Sequence, residues 1–154
     1  MKMKLQLQPN EWSCLPTAFA MVLNKPVAKV IEDIGHDGSK IIFPEEPEPF
    51  CRRSFHIQEL TDICMLRNIA VIPIECSPVS EACGHKYNIP VHSKRLDYYL
   101  VNYNGVLTGI GSSGKPHAVA WGSGKVFDPN GTTYSIENFS IHMYFLIVRF
   151  NITK

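Results

Sequence analysis

The chain has 154 residues, of which 45% are hydrophobic and 19% charged, and its formal net charge at pH 7 is +1. This length and composition predict a soluble globular protein with one domain over residues 1–154. The near-neutral charge gives no electrostatic basis for binding nucleic acid or an anionic membrane, and no apolar run approaches the ~18 residues of a membrane span.

The first predicted element is a buried helix that begins at Cys14. Ser13 is a favourable N-cap residue, and Pro16 fits the first helical turn, where its missing N–H has no intrahelical partner. Residues 15–23 are almost wholly apolar, and the polar residues and proline at 24–26 end the helix. This pattern places the Cys14 thiol at the N-terminal tip of a central helix.

Further elements follow from the spacing of apolar residues. Three more helices are predicted, over residues 27–34, 93–102 and, with Ser54 as its cap, through about residue 68. Strands are predicted over residues 70–75, 105–110 and 143–150. Pro73 indicates that the first of these strands lies at an edge or bulge. Three prolines among acidic residues make residues 40–53 a surface loop.

An irregular segment, residues 77–92, contains potential metal ligands. Cys76, Cys83, His85 and His92 are zinc-compatible, but their spacing lacks the tight Cys-x2-Cys unit of structural zinc sites. We therefore expect a polar loop here, with no metal and no cofactor. The chain has five cysteines in no small-scaffold pattern, and its N-terminus lacks the apolar core of a signal peptide. Reduced thiols and a cytoplasmic location are the resulting expectation.

A predicted hairpin brings His117 close to Asp128. Residues 118–121 form one strand, the Gly-Ser-Gly sequence at 122–124 a tight turn, and residues 125–128 the antiparallel partner. His117 at the start of one strand and Asp128 at the end of the other then lie side by side. Asp128 also begins a good turn sequence, and Asn130 is the alternative partner for the imidazole.

Four side chains, Cys14, His117, Asp128 and Gln8, together match the chemistry of a thiol peptidase. A free thiol has a pKa of about 8.5, and its reactive thiolate is stabilised by about half a positive charge at a helix N-terminus. An imidazole takes the thiol proton and later gives it to the leaving amine, while a carboxylate fixes the imidazole tautomer. An amide such as that of Gln8 can donate to the oxyanion, an effect of about 3–4 kcal/mol. Because a lone cysteine or histidine is more often structural, the combination carries this prediction.

The order of these motifs resembles that of the papain superfamily, and most closely the small bacterial branch that includes peptidase domains processing double-glycine leader peptides of bacteriocins. The shared motif is Gln8, five residues, Cys14 followed by Leu-Pro-Thr-Ala-Phe-Ala-Met, and a short hairpin that ends in Asp128-Pro. Where that branch commonly has Asp-Cys-Gly-Pro, this chain has Ser-Cys-Leu-Pro, which leaves the nucleophile and the helix start intact. Helices first and an antiparallel sheet second is also the papain-like order. We therefore expect an α+β fold, with N-terminal helices packed on a C-terminal antiparallel sheet and a cleft between the two.

The predicted function is hydrolysis of a peptide or isopeptide bond in a peptide or protein substrate, through a thioester on Cys14. The resemblance implies that the cut follows Gly-Gly. An acyltransferase or amidase would form the same thioester, because the triad does not specify which acceptor resolves it. An inactive papain-fold protein that binds a partner through the cleft is a third hypothesis, against which the presence of all four side chains counts. The oligomeric state is not predicted.

Overall fold

The computed structural model describes residues 2–76 and 93–150. These residues form four α-helices and a six-stranded antiparallel sheet, which confirms the predicted α+β class. The helices are α1 (Cys14–Leu23), α2 (Val27–Ile34), α3 (Ile57–Met65) and α4 (Ser93–Asn102). The strands are β1 (Ile69–Glu75), β2 (Gly105–Ile110), β3 (Pro116–Gly122), β4 (Lys125–Asp128), β5 (Thr132–Tyr134) and β6 (Ser140–Arg149), and a short 3-10 turn covers Ile136–Asn138.

The strand order in the sheet is β1-β6-β2-β3-β4-β5. β1 is therefore an edge strand, which is one of the two positions that Pro73 indicated. Proline has no N–H to donate to a neighbouring strand, so it is tolerated at the edge of a sheet. β3 and β4 lie near the opposite edge and pair antiparallel, with Ala120 opposite Phe127. This register places His117, near the start of β3, close to Asp128 at the end of β4.

Helices cover both faces of the sheet, because side chains along a strand alternate between its faces. Ala118 and Ala120 of β3 pack in a core with α1, and residues of α2 and α3 contribute to the same cluster. Val119 and Trp121 pack in a second cluster to which α4 contributes. The apolar run of α1 is buried over most of its length, which holds the N-terminal end of this helix in a fixed position beside β3.

The helix predicted to have Ser54 as its N-cap has its N-cap two residues later, at His56. Ser54 has a left-handed backbone (φ 57°), and its hydroxyl donates to the Trp12 carbonyl oxygen at 2.8 Å instead of capping the helix. His56 is the N-cap of α3 and forms a capping box with Glu59. A tertiary contact therefore takes the serine that the sequence pattern assigned to the helix.

Two further findings concern membranes and metals. Among the described residues, no single helix is long and apolar enough to cross a membrane, and α1 with α2 reaches that length and composition only as a pair bent by 114°. Within the same residues, no group of three or more His, Cys, Asp or Glu side chains is arranged to hold a metal ion. Of the zinc-compatible residues of the sequence, Cys83, His85 and His92 lie outside the described ranges.

Candidate active site

Cys14 is the first residue of α1, and its side chain is half-buried. Ser13 occupies the N-cap position as predicted, but its hydroxyl donates to Asn10 Oδ1 at 2.5 Å and does not cap the helix. The first turn of α1 also contains no acidic residue. The positive end of the helix dipole is therefore not neutralised by a side chain of the first turn or of the N-cap, which favours a negative charge on the Cys14 sulfur.

His117 lies between Asp128 and Cys14. Its Nε2 atom is 2.7 Å from Asp128 Oδ1, which is the contact predicted from the hairpin. The same imidazole also interacts with the Cys14 thiol, and this interaction contributes to its raised pKa. Because Nε2 is occupied by Asp128, Nδ1 is the nitrogen left available to Cys14. The His117 side chain is 19% exposed, so the ring is shielded but reachable.

Asp128 is held by three hydrogen-bond donors in a buried position. Its side chain is 4% exposed. In addition to His117, the Asn130 N–H donates to Oδ1 at 2.9 Å, and the Tyr134 hydroxyl donates to Oδ2 at 2.5 Å. Asn130 thus contacts Asp128 through its main chain, and its side-chain oxygen accepts from Thr132 instead of contacting the imidazole. Asp128, rather than Asn130, is the residue that orients His117.

The charges of these groups reinforce one another. Burial alone would lower the pKa of His117, but the hydrogen bonds to Asp128 and Cys14 and the charges of both partners raise it from 6.5 to about 9. Burial alone would raise the pKa of Asp128, but hydrogen bonds from His117, Tyr134 and the Asn130 N–H lower it below its ordinary value of 3.8. At neutral pH the pair is therefore an imidazolium bound to a carboxylate.

Gln8 is attached to the turn that follows Asp128. Its main-chain N–H donates to the Pro129 carbonyl oxygen at 2.8 Å. Its side-chain Oε1 atom is buried and has no hydrogen-bond partner within the described part of the chain. In Gln6, by contrast, Nε2 donates to the Lys25 carbonyl oxygen at 2.7 Å and Oε1 accepts from the Val27 N–H at 2.9 Å. The Gln6 amide is therefore used to hold the main chain, whereas the Gln8 amide oxygen makes no hydrogen bond to the described residues.

A cavity of about 420 Å³ opens beside these residues. Its lining comes from the N-terminal segment, the connection between α2 and α3, the β2–β3 loop, the start of β3, the end of β4 and the turn after it. The lining residues are Gln8, Glu11, Glu48, Pro49, Phe50, Gly111, Ser112, Ser113, Lys115, Pro116, His117, Asp128 and Asn130. Cys14 itself is not one of them, but His117, with which it interacts, is.

The other described cysteines lie in less reactive surroundings. Burial raises the pKa of Cys64 and of Cys76 to about 11 in each case. Burial and the neighbouring Glu48 carboxylate raise the pKa of Cys51. A thiol must ionise to attack an electrophile, so these three side chains are poor nucleophiles at neutral pH.

Two residues near the site were missed by the sequence reasoning. Tyr134 reaches Asp128 because β5 pairs with β4, with Thr132 opposite Asp128 and Tyr134 diagonal to it. Asn10 fixes the segment before Cys14 by accepting hydrogen bonds from the Ser13 hydroxyl and, at 3.3 Å, the Trp12 N–H. An asparagine shortly before a helix is a recognised turn signal and could have been found. Tyr134 could not, because β5 is too short to leave a pattern.

No family model matches the chain, and no curated protein matches its sequence. Among solved structures, the chain is similar to a double glycine motif protease from an AMS/PCAT transporter, whose structure was determined in complex with the leader peptide. The two chains are 12% identical, with a TM-score of 0.51, and the match covers 95% of this chain and 91% of that chain. At this identity the likeness concerns the fold, and it supports the predicted papain-like peptidase fold over nearly the whole length of both chains.

Proposed function

We propose that this protein is a cysteine peptidase that cleaves a peptide or isopeptide bond through a thioester on Cys14. In this proposal His117 is the general base and acid, Asp128 orients it, and Gln8 donates to the oxyanion. The observation that carries the proposal is the position of one imidazole, bound to a buried carboxylate on one side and to a thiol at a helix N-terminus on the other. A purely structural histidine has no need of a thiol partner at that position.

The first half of the reaction forms the thioester. The Cys14 thiolate attacks the carbonyl carbon of the scissile bond, and the carbonyl oxygen becomes an oxyanion. The His117 imidazolium then gives its Nδ1 proton to the leaving nitrogen, the C–N bond breaks, and the amine departs. Asp128 keeps the ring in the orientation that points Nδ1 toward the sulfur throughout this step.

The oxyanion needs hydrogen-bond donors at the moment it forms. Gln8 and His117 both line the cavity. The first N–H groups of α1, at the Cys14 end of the helix, have no partner within the helix. The Gln8 Nε2 group is the side-chain donor in this proposal. Loss of one such donor typically costs about 10²- to 10³-fold in kcat.

The second half of the reaction regenerates the enzyme. Neutral His117 takes a proton from a water molecule, and the resulting hydroxide attacks the thioester carbonyl. The C–S bond breaks, the acid product leaves, and the thiolate again pairs with the imidazolium. An amine in place of water would give transfer instead of hydrolysis, which is the acyltransferase alternative.

We further propose that the scissile bond follows small residues, in the form of Gly-Gly. The support for this proposal is that the structurally similar protease is a double glycine motif protease crystallised in complex with the leader peptide. The peptide substrate of this chain would then carry glycine just before the cut. The cavity beside His117, about 420 Å³ in volume, is large enough for a few residues of an extended peptide.

The deciding experiment uses a peptide probe with a C-terminal Gly-Gly electrophile. Wild type and Cys14→Ala are incubated with the probe, and the modified residue is identified by mass spectrometry of the digested protein. An adduct on Cys14 in the wild type, with none in the variant, supports the proposal. Cys51→Ser is the matched control, since this thiol is buried and lies outside the proposed triad. If neither this probe nor broader peptide electrophiles modify Cys14, the inactive binding protein is the better description.

A second measurement needs no knowledge of the substrate. Iodoacetamide at pH 6 is expected to alkylate Cys14 well before the other four cysteines, because the His117 imidazolium favours its thiolate while the described alternatives are protonated. The extent of modification at each cysteine is followed by mass spectrometry over time. Equal labelling of all five cysteines would contradict the assignment of Cys14 as nucleophile.

A further inference from the structure

One wall of the cavity is a loop without regular secondary structure. Glu48, Pro49 and Phe50 line the cavity together with residues of the β2–β3 loop, such as Ser112 and Ser113. These three residues belong to the connection between α2 and α3, so no strand or helix holds them in place. Main-chain hydrogen bonds hold part of this connection: the Phe50 N–H donates to the Pro47 carbonyl oxygen at 2.8 Å, and the Arg52 N–H donates to the Pro49 carbonyl oxygen at 3.1 Å. Side-chain contacts add to these bonds and fix the Glu48 carboxylate.

The Arg52 side chain contacts Glu48, Ser39 and Trp12. Its guanidinium forms a two-pronged pair with the Glu48 carboxylate, with Nε at 3.0 Å from Oε2 and Nη2 at 2.7 Å from Oε1. Its Nη1 donates to the Ser39 carbonyl oxygen at 2.8 Å. The guanidinium carbon also lies 4.5 Å from the centre of the Trp12 ring. One side chain thus connects the cavity wall to an aromatic ring that lies two residues before Cys14 in the chain.

Trp12 is fixed by the same connection from other directions. Its indole N–H donates to the Asp37 carbonyl oxygen at 2.8 Å, and its own carbonyl oxygen accepts from the Ser54 hydroxyl at 2.8 Å. Gly38 lies close to the ring, since a Cβ at this position would be 3.0 Å from Trp12 Cδ1. Trp12 is therefore held in a fixed position, and the contact between its ring and Arg52 links Glu48 to that position.

We propose that Arg52 is a positioning residue for peptide binding, because it fixes the wall formed by Glu48, Pro49 and Phe50 at a set distance from the segment that carries Cys14. The inference rests on the proposed function, since it concerns the peptide that this site would bind. Arginine suits the role because its planar fork bonds a carboxylate at two points while its face stacks on an aromatic ring, and lysine can do neither.

The contribution of Arg52 to overall stability is expected to be small. The Arg52 side chain is 24% exposed and that of Glu48 is 48% exposed. Exposed ion pairs typically contribute about 0–1 kcal/mol to folding. A large effect of an Arg52 variant on peptide binding would therefore not arise from unfolding.

The test compares Arg52→Lys with Arg53→Lys. Arg53 is the adjacent arginine and does not line the cavity; its side chain lies 3.6 Å from Glu59. For a fluorogenic peptide with a central Gly-Gly, Arg52→Lys is expected to raise KM about tenfold with kcat within about twofold of the wild type. Arg53→Lys is expected to change neither constant. The rate of Cys14 alkylation by iodoacetamide should be the same in all three proteins, because this small reagent does not need the wall.

A binding measurement separates failure of this inference from failure of the proposed function. Fluorescein-labelled decapeptides with a central Gly-Gly are titrated into Cys14→Ala and into Cys14→Ala with Arg52→Lys, and Kd is obtained from anisotropy. A Kd about tenfold higher in the second protein supports the inference. Equal Kd values would overturn the inference alone, whereas binding to neither protein, together with no turnover in the wild type, would overturn both proposals.

Glu48→Gln provides a second variant in case Arg52→Lys destabilises the loop. Since Glu48 and Arg52 act in this proposal through one contact, the double variant should bind the peptide no more weakly than Arg52→Lys alone. Additive losses in the double variant would show that the two residues act independently, and this result would overturn the positioning role.

Discussion

The described residues contain two histidine–carboxylate pairs of similar geometry, and their comparison separates a candidate catalytic pair from a structural one. His117 Nε2 lies 2.7 Å from Asp128, and His36 Nε2 lies 2.5 Å from Glu59. Both histidine side chains are 19% exposed. Neither the distance between the partners nor the burial of the ring distinguishes the two pairs.

The difference lies in the second nitrogen of each ring. His36 Nδ1 accepts the Gly38 N–H at 3.0 Å, and its ring stacks on Phe55 with centroids 5.1 Å apart. Both nitrogens of His36 are thus used to hold the connection between α2 and α3. In His117 the second nitrogen has no such structural bond among the described residues, and the ring interacts with the Cys14 thiol. A carboxylate partner is therefore a weak indicator of catalysis, and a ring nitrogen directed at a nucleophile is a strong one.

The largest expected effect is that of His117→Asn, and His36→Asn is the matched control. His117→Asn should lower kcat/KM by about 10³- to 10⁴-fold, because no group remains to take and return the proton. His36→Asn should retain kcat within a few-fold and lower the free energy of unfolding by about 1–2 kcal/mol, through lost hydrogen bonds. Peptide turnover and urea unfolding measure the two effects. If both variants lose activity to the same extent, the assignment of His117 to catalysis and of His36 to structure is wrong.

The two glutamines of the N-terminal segment extend the comparison. Gln8→Ala should lower kcat by about 10²- to 10³-fold with a smaller change in KM, through loss of an oxyanion donor. Gln6→Ala should leave kcat unchanged and cost about 1 kcal/mol of stability, because Gln6 accepts from the first N–H of α2 as a cap does. Steady-state kinetics with thermal unfolding distinguishes these outcomes. A Gln8→Ala enzyme with wild-type kcat would remove Gln8 from the proposed mechanism.

The charges of His117 and Asp128 should make the free energy of unfolding depend on pH. Because the folded pKa of His117 is raised from 6.5 to about 9, its stabilisation is complete below pH 6.5 and is lost as pH rises to about 9. Because the pKa of Asp128 is lowered from 3.8, its stabilisation is present above that pH and is lost in stronger acid.

Asp128→Asn should remove both of these dependences, since the pair loses its charge. The wild type is therefore expected to exceed this variant in unfolding free energy most between pH 4 and pH 6.5, with the difference shrinking by at most about 1.4 kcal/mol per pH unit up to about pH 9. Urea unfolding at a series of pH values measures it. Glu59→Gln is the control, and its curve should keep the decline between pH 6.5 and 9. A constant difference between wild type and Asp128→Asn would argue against the charged pair.

The smallest expected effect concerns Tyr134. Tyr134→Phe keeps the ring and removes the donor to Asp128 Oδ2, so kcat/KM should fall about fivefold, equivalent to one hydrogen bond of about 1 kcal/mol. The acid limb of the pH profile should move to higher pH, because Asp128 holds its charge less well. Tyr144→Phe is the control: its hydroxyl donates to the Tyr103 carbonyl oxygen at 2.6 Å, away from the site. An unchanged pH profile in Tyr134→Phe would assign Tyr134 a packing role.

Much of the fold could be predicted because the relevant patterns are local. The bounds of α2, α4, β2 and β4 follow from apolar spacing and turn residues, and the observed elements match the predicted ranges. The start of α3 could not be predicted from Ser54, whose hydroxyl is taken by Trp12, far away in sequence. β6 begins at Ser140 instead of residue 143, because pairing with β2 extends the strand through residues of mixed polarity.

The site divides in the same way. The pairing of His117 with Asp128 was predictable, because a short hairpin forces the two residues together. The roles of Ser13 and Tyr134 were not, because each depends on a partner chosen by the fold: Asn10 for the Ser13 hydroxyl and Asp128 for Tyr134. The anchoring of the cavity wall by Arg52 to Trp12 likewise joins residues about forty positions apart, which no local pattern links.

The position of Cys14 on the first helix and of His117 on the third strand has a consequence for the newly made chain. About a hundred residues separate them, and at roughly 5–20 residues per second the ribosome adds that length in roughly 5–20 s. During this interval the thiol has neither its imidazole nor its carboxylate. If the proposed function holds, the thiol is expected to gain its partners only when the hairpin of β3 and β4 has been synthesised and has packed on α1, so a nascent or truncated chain would carry Cys14 without His117 and Asp128.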